Sequence, residues 1–152
     1  MSSPQTGLLQ ITAQALVHAT EDESKVRKAL VNLFPEKTHD ELRYKSTQLR
    51  GHHHNPIIHL EVQLKKPELL ALTLKEMGKR LPVEERQHLA ETLPSRTNQK
   101  GYLFLRFDKQ ESYQGRLRLV NQGDSLRVVI RFSGRKLSRT DLEAQCRQFD
   151  LI

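Results

Sequence analysis

Leu126, Val128, Ile130 and Phe132 alternate with Arg127, Val129 and Arg131. A strand sends successive side chains to opposite faces, so the four apolar residues share one face and the two arginines the other. This pattern restricts the chain to a sheet that is covered on one side and open on the other. Two neighbouring runs repeat it. In Tyr102–Phe107, Leu103, Leu105 and Phe107 lie opposite Tyr102, Phe104 and Arg106. In 116–120, Leu117 and Leu119 lie opposite Arg116 and Arg118. With the apolar sets inward, the open face carries Arg106, Arg116, Arg118, Arg127 and Arg131 beside Tyr102 and Phe104. That is the composition of a nucleic-acid surface.

Charge distribution points the same way. The chain has a formal net charge of +7. Residues 101–139 hold nine Lys or Arg, including Lys109, Arg135 and Lys136, against three acids, so nearly all the excess lies there. A solvated face is the plain alternative. Lysine or threonine would serve solubility equally well, whereas arginine suits forked contacts to phosphate and stacking.

At 152 residues the chain fits one domain with a real core, expected over 9–152 behind a flexible 1–8. Apolar content of 36% with regular patterning excludes disorder. No apolar run approaches the ~20 residues needed to span a bilayer. The first residues lack a basic flank and an apolar signal core, so no export is expected. Cys146, the single cysteine, fits a reducing cytoplasm and a small buried position on a last helix.

In chain order, 9–18 reads as a strand with Ile11, Ala13, Ala15 and Val17 alternating. Thr20 to Glu23 reads as a capping box, with Thr20 as N-cap. A helix to about Leu33 follows, stopped by Pro35. Residues 41–49 read as a weakly alternating strand. Residues 57–65 read as a clear one, with Ile58, Leu60, Val62 and Leu64 on one face. Pro67 suits a first helical position, and Leu69, Leu70, Leu72, Leu74 and Met77 form a broad apolar face. A second helix starts at Pro82 with Val83, Leu89 and Leu93 inside. Residues 94–100 read as a polar connector. Three strands follow, with 121–124 as a hairpin turn. Ser138 or Thr140 then caps a last helix to about Phe149. The class is α+β, a mainly antiparallel sheet with helices on one face.

Three motifs bear on chemistry. Lys100 to Phe107 resembles the aromatic strand of RNA-recognition domains, in which outward aromatics stack bases. Leu103 replaces the usual small residue, and a helix precedes the run where a strand is expected. Tyr102 and Phe104 could equally pack under a helix. His52, His53 and His54 invite a metal reading, but consecutive residues rarely converge on one ion. An exposed loop fits better, with His52 and His53 able to reach an RNA backbone. Residues 108–115 read as a turn in which Asp108 caps, Tyr113 packs and Gly115 takes an unusual backbone angle. Neither a catalytic triad, a phosphate loop nor a carboxylate cluster is present, so no enzyme, metal or cofactor is expected.

Three segments, H-A-T-E-D-E-S-K-V at 18–26, G-H-H-H-N-P-I at 51–57 and F-D-K-Q-E-S-Y-Q-G at 107–115, together resemble an archaeal family. It is the family of predicted exosome subunits, also described as double-stranded-RNA-binding proteins. The family pattern has Gly before the Asn of the middle motif, where this chain has His54. The resemblance implies a non-catalytic RNA-binding protein, able to dimerise, with a fold similar to the 5S-rRNA-binding ribosomal protein. It also implies RNA-facing loops at 51–55 and 108–115, and exosome or ribosomal components as partners.

The expectation is therefore a module for structured or double-stranded RNA, working by shape and phosphate contact and acting in RNA processing. The alternatives are a protein-interaction subunit of a ribonucleoprotein or ribosome-assembly complex, and a metal-dependent nuclease using the histidines and Asp108. A two-residue turn at Gln122 and Gly123 would set Arg118 directly opposite Arg127.

Overall fold

The computed structural model describes residues 7–50, 55–133 and 139–152. Strand β1 (Leu8–Val17) buries Ile11, Ala13, Ala15 and Val17. Helix α1 (Glu23–Val31) follows, with Val26, Ala29 and Leu30 in the core. Its N-cap is Asp22, whose carboxylate accepts from the Ser24 amide. The cap therefore lies two residues later than the capping box placed it. Thr20 falls in a preceding turn closed by the Glu21 amide bonding to the His18 carbonyl. Glu21 turns back to accept from the His18 amide at 3.0 Å.

A 3-10 turn (Glu36–Glu41) leads to β2 (Arg43–Arg50) and β3 (Pro56–Leu64). Helix α2 (Pro67–Arg80) begins on Pro67, where a missing amide costs nothing. Gly78 of α2 meets the C-terminal segment so closely that a Cβ there would overlap the Asp150 carbonyl oxygen. Helix α3 (Val83–Arg96) continues through Pro94, where a connector was expected. In its last turns the hydroxyls of Thr92 and Ser95 donate to the carbonyls of His88 and Thr92. Val83, expected inside, is 68% exposed, because α3 buries only Leu89 and Leu93 as its apolar stripe. After β4 (Tyr102–Phe107) come the short α4 (Lys109–Tyr113), β5 (Leu126–Phe132) and α5 (Arg139–Gln148), which buries Cys146.

The strands form one antiparallel sheet in the order β2-β3-β1-β5-β4. Helices α1 and α2 pack on the face of β1 that carries its apolar residues, and α3 flanks β4. Residues 116–120 are not a full strand. Leu117 is buried, but the segment makes only one bridge, Leu119 to Phe107, on the outer side of β4. The bonds Asp108 N to Arg118 O and Val120 N to Arg106 O hold it there. Residues 121–125 then pass to the inner side, with Gly123 at φ 91°, a left-handed value that suits glycine. Arg118 consequently does not face Arg127, since β4 and not 116–120 is the partner of β5.

Candidate nucleic-acid interface

The strand register arranges the open face in rows. One runs Arg43, Gln63, Thr12, Val129, Phe104 across the five strands. The next runs Lys45, Glu61, Gln14, Arg127, Arg106, with cations at both ends. Four inter-strand spacings make each row about 19 Å wide, enough to meet several phosphates of one RNA. On the third row at the β4 side, Tyr102 lies opposite Arg131. The Arg131 guanidinium sits over the Tyr102 ring, 5.5 Å from its centroid. The Tyr102 and Phe104 rings are tilted neighbours with centroids 6.3 Å apart. Polar pairs fill the middle: His59 Nε2 lies 2.8 Å from Gln14 Oε1, and Gln10 Nε2 donates to Thr12 Oγ1 at 2.8 Å.

The cations singled out from the sequence divide into two groups. Arg106, Arg127 and Arg131 lie on the open face, and none is in an ion pair among the described residues. Arg106 donates long bonds to Gly123 O and Ser125 Oγ, 3.4 and 3.3 Å. Arg116, Arg118 and Lys109 are engaged by acids. Arg116 Nε bonds to Glu111 at 2.6 Å. Arg118 bonds to Glu85 at 2.9 Å, and that hydrogen bond raises its pKa further. Glu85 also accepts from the Leu119 amide, so it fixes the 116–120 segment to α3.

Lys109 is largely enclosed, with 11% of its side chain exposed. Its ammonium donates to Leu16 O at 2.8 Å, to both Glu21 carboxylate oxygens at 3.1 and 3.3 Å, and to Asp124 at 2.8 Å. His18 Nε2 lies 3.4 Å from the same Asp124 oxygen. His18, Glu21 and Asp124 bring ligand atoms within 4.8 Å of one another, a spacing fit for a metal ion, and the Lys109 ammonium bonds to two of the three. Lys109 is thus the cation that ties the 18–22 turn, α4 and the 121–124 loop together. Asp108 caps α4 through the Glu111 amide, Gly115 takes φ 88°, and Tyr113 packs on the core beneath Lys25 and Lys28. His52, His53, Arg135 and Lys136 lie outside the described residues.

A groove of about 460 Å³ adjoins the open face at β4. His88 and Arg96 of α3, Asn121, Phe104, Arg106 and Arg127 are among its lining residues, and none of the described lining residues is acidic. Arg96 is half-buried, and burial pushes its guanidinium pKa down. Its Nε donates to Thr92 Oγ1 at 2.8 Å. Arg96 lies past Pro94, where the sequence predicts a polar connector, and His88 lies inside the expected helix with nothing in its own position to mark it. Four-residue spacing of His88, Thr92 and Arg96 was the signal that puts them on one side.

Comparison with known proteins agrees with this geometry. A family model described as RNA binding matches residues 10–132. The RNA-binding protein PAB1135 of Pyrococcus abyssi is 30% identical over 122 residues, 80% of this chain and 79% of that protein. Among solved structures, the DUF54-family protein AF2318 of Archaeglobus fulgidus aligns with a TM-score of 0.78 and 30% identity. It covers 93% of this chain and 99% of its own. Mth689, a DUF54 protein of Methanothermobacter thermautotrophicus, aligns with a TM-score of 0.76 and 26% identity over 94% and 98%.

Proposed function

Because the chain belongs to this RNA-binding family, we propose that it binds structured or double-stranded RNA through the open sheet face without catalysing a reaction on it. One observation carries the reading. Among the described residues, Arg106, Arg127 and Arg131 stand on that face without an acidic partner, while Lys109, Arg116 and Arg118 are paired. Duplex RNA is read chiefly through phosphates and 2′-hydroxyls, so arginines on a broad face suffice without base-reading pockets. The test is a gel-shift panel of single-stranded, duplex and hairpin RNA against duplex DNA at two salt concentrations. The expected result is preference for duplex or hairpin RNA, with affinity falling steeply as salt rises. Arg127→Ala with Arg131→Ala weakens it, whereas Arg116→Ala with Arg118→Ala weakens it less. Equal affinity for all four nucleic acids, or none, refutes the proposal.

The single, buried Cys146 suits a reducing cytoplasm, and the family resemblance supports a place in RNA processing with exosome or ribosomal components as neighbours. No described helix is long and apolar enough to cross a membrane. A second reading rests on β2. Its outer edge has no partner strand among the described residues, all eight of its residues are exposed, and Tyr44 and Leu49 are 49% and 43% accessible. A free edge of that length can accept a strand from a protein partner or from a second copy. Pull-down with and without nuclease separates the readings, since contacts that survive RNA removal belong to a protein interface.

A further inference from the structure

We propose that the groove beside β4 seats one unpaired nucleotide of the bound RNA, its phosphate held among Arg96, Arg106 and Arg127 and its base laid against Phe104. This rests on the RNA-binding reading and adds a ligand feature to it.

The electrostatics require an anion. Three arginines and His88 line one groove of about 460 Å³, the size range of small-ligand pockets, with no carboxylate among its described lining residues. Arg96 is half-buried, and its one side-chain bond is to a neutral hydroxyl. A guanidinium taken partly out of water is ordinarily paired, and this one is held ready for a charge that comes from outside. Arg106 and Arg127 are direct cross-strand partners, a like-charge arrangement that destabilises a sheet until an anion lies between them. A phosphate offers several oxygen acceptors to such forked donors.

The floor specifies more than an anion. Phe104 lies next to Arg106's row on the same face and also lines the groove. An aromatic face accepts any base, but only a base released from pairing can reach it. Asn121 and His88 stand at the groove with polar atoms for the ribose or the base edge. The ligand is therefore a nucleotide at a duplex end, overhang or bulge, and a paired one does not fit.

The experiment compares the full chain on a blunt hairpin RNA and on the same hairpin with a short single-stranded overhang. Each RNA is made with and without a 5′-terminal phosphate. The wild type binds the overhang form several-fold more tightly. Dependence on the terminal phosphate assigns the seat to a chain end, and independence assigns it to an internal linkage. Arg96→Gln lowers overhang binding to the blunt level, and Phe104→Leu does the same while keeping an apolar side chain. Circular dichroism and thermal melting confirm that both variants fold. Equal wild-type affinity for blunt and overhang RNA overturns the nucleotide seat and leaves the sheet-face reading standing. So does an overhang preference that survives both substitutions. Loss of binding to every RNA in the wild type overturns the RNA-binding reading itself.

Discussion

Arg106 and Arg127 stand directly opposite each other across the β4–β5 ladder, two like charges on the open face. Opposed like charges weaken a sheet pair, and the long bonds from Arg106 to Gly123 and Ser125 offset little of that. The free protein carries the repulsion, and a bound phosphate relieves it. Arg106→Gln should therefore stabilise the unliganded protein, by up to about 1 kcal/mol in urea titration. The same change should weaken RNA binding and reduce the salt slope by about 1. A variant that loses stability and keeps its RNA affinity contradicts this account.

Lys109 contributes in the opposite sense. Lys109→Met removes the ammonium that bridges the Glu21 and Asp124 carboxylates. The site lies between a surface pair and a buried one, so the expected loss is about 2 kcal/mol. Urea denaturation measures it. RNA affinity per folded molecule should change less than for Arg127→Ala.

Asp124 gives the same cluster a pH signature. Burial alone would raise its carboxyl, but the hydrogen bond and charge of Lys109, with help from His18, hold it below the ordinary 3.8. A depressed carboxyl stabilises the fold above its unfolded value, and that contribution disappears as pH falls through the folded value. Stability should thus drop below about pH 4. In Asp124→Asn that part of the acid transition should be absent from thermal melts between pH 2 and pH 6, the interval bracketing the carboxylate range. The contribution is modest, because the Asp124 side chain is 45% exposed.

Gly78→Ala should reverse the usual helix preference. Alanine is favoured over glycine in a helix by about 1 kcal/mol. Here the added methyl would overlap the Asp150 carbonyl oxygen, a backbone atom that cannot swing aside. The expected outcome is a loss of about 1–3 kcal/mol of stability, read as a lower urea midpoint. A stabilised Gly78→Ala would mean that the C-terminal segment does not lie against α2.

All five strands are legible in the sequence, four of them clearly, because each of those four buries alternate residues against the helices. In β2 every residue is exposed, so burial leaves little mark on its composition and only weak alternation results. Residues 116–120 show the converse. Their alternation is as regular as that of β5, yet it reports only that Leu117 is inside, since hydrogen-bond partners leave no trace in such a pattern. The hairpin register expected at 121–124, and with it the pairing of Arg118 and Arg127, requires 116–120 to pair with β5, a place that β4 occupies. The division of cations into paired and unpaired groups was equally hidden. Glu85 reaches Arg118 from a helix thirty-three residues away, and Asp124 reaches Lys109 across a loop. Arg96 was concealed by Pro94, a residue that halts helices in most settings but lies in the last turn of α3.

The strand order has a consequence for how the molecule comes off the ribosome. β1, the first strand made, occupies the middle of the sheet, and its second neighbour is β5. Some 110 residues of chain must emerge before that neighbour exists. Throughout that interval one side of β1, with its open row of amides and carbonyls, is a docking invitation to any extended peptide nearby. Closure of the sheet is a late, long-range event, and such pairings form slowly. A nascent chain halted before Leu126 would hold α1 to α4 and the β2-β3-β1 ladder yet lack β5, the strand that joins β4 to them.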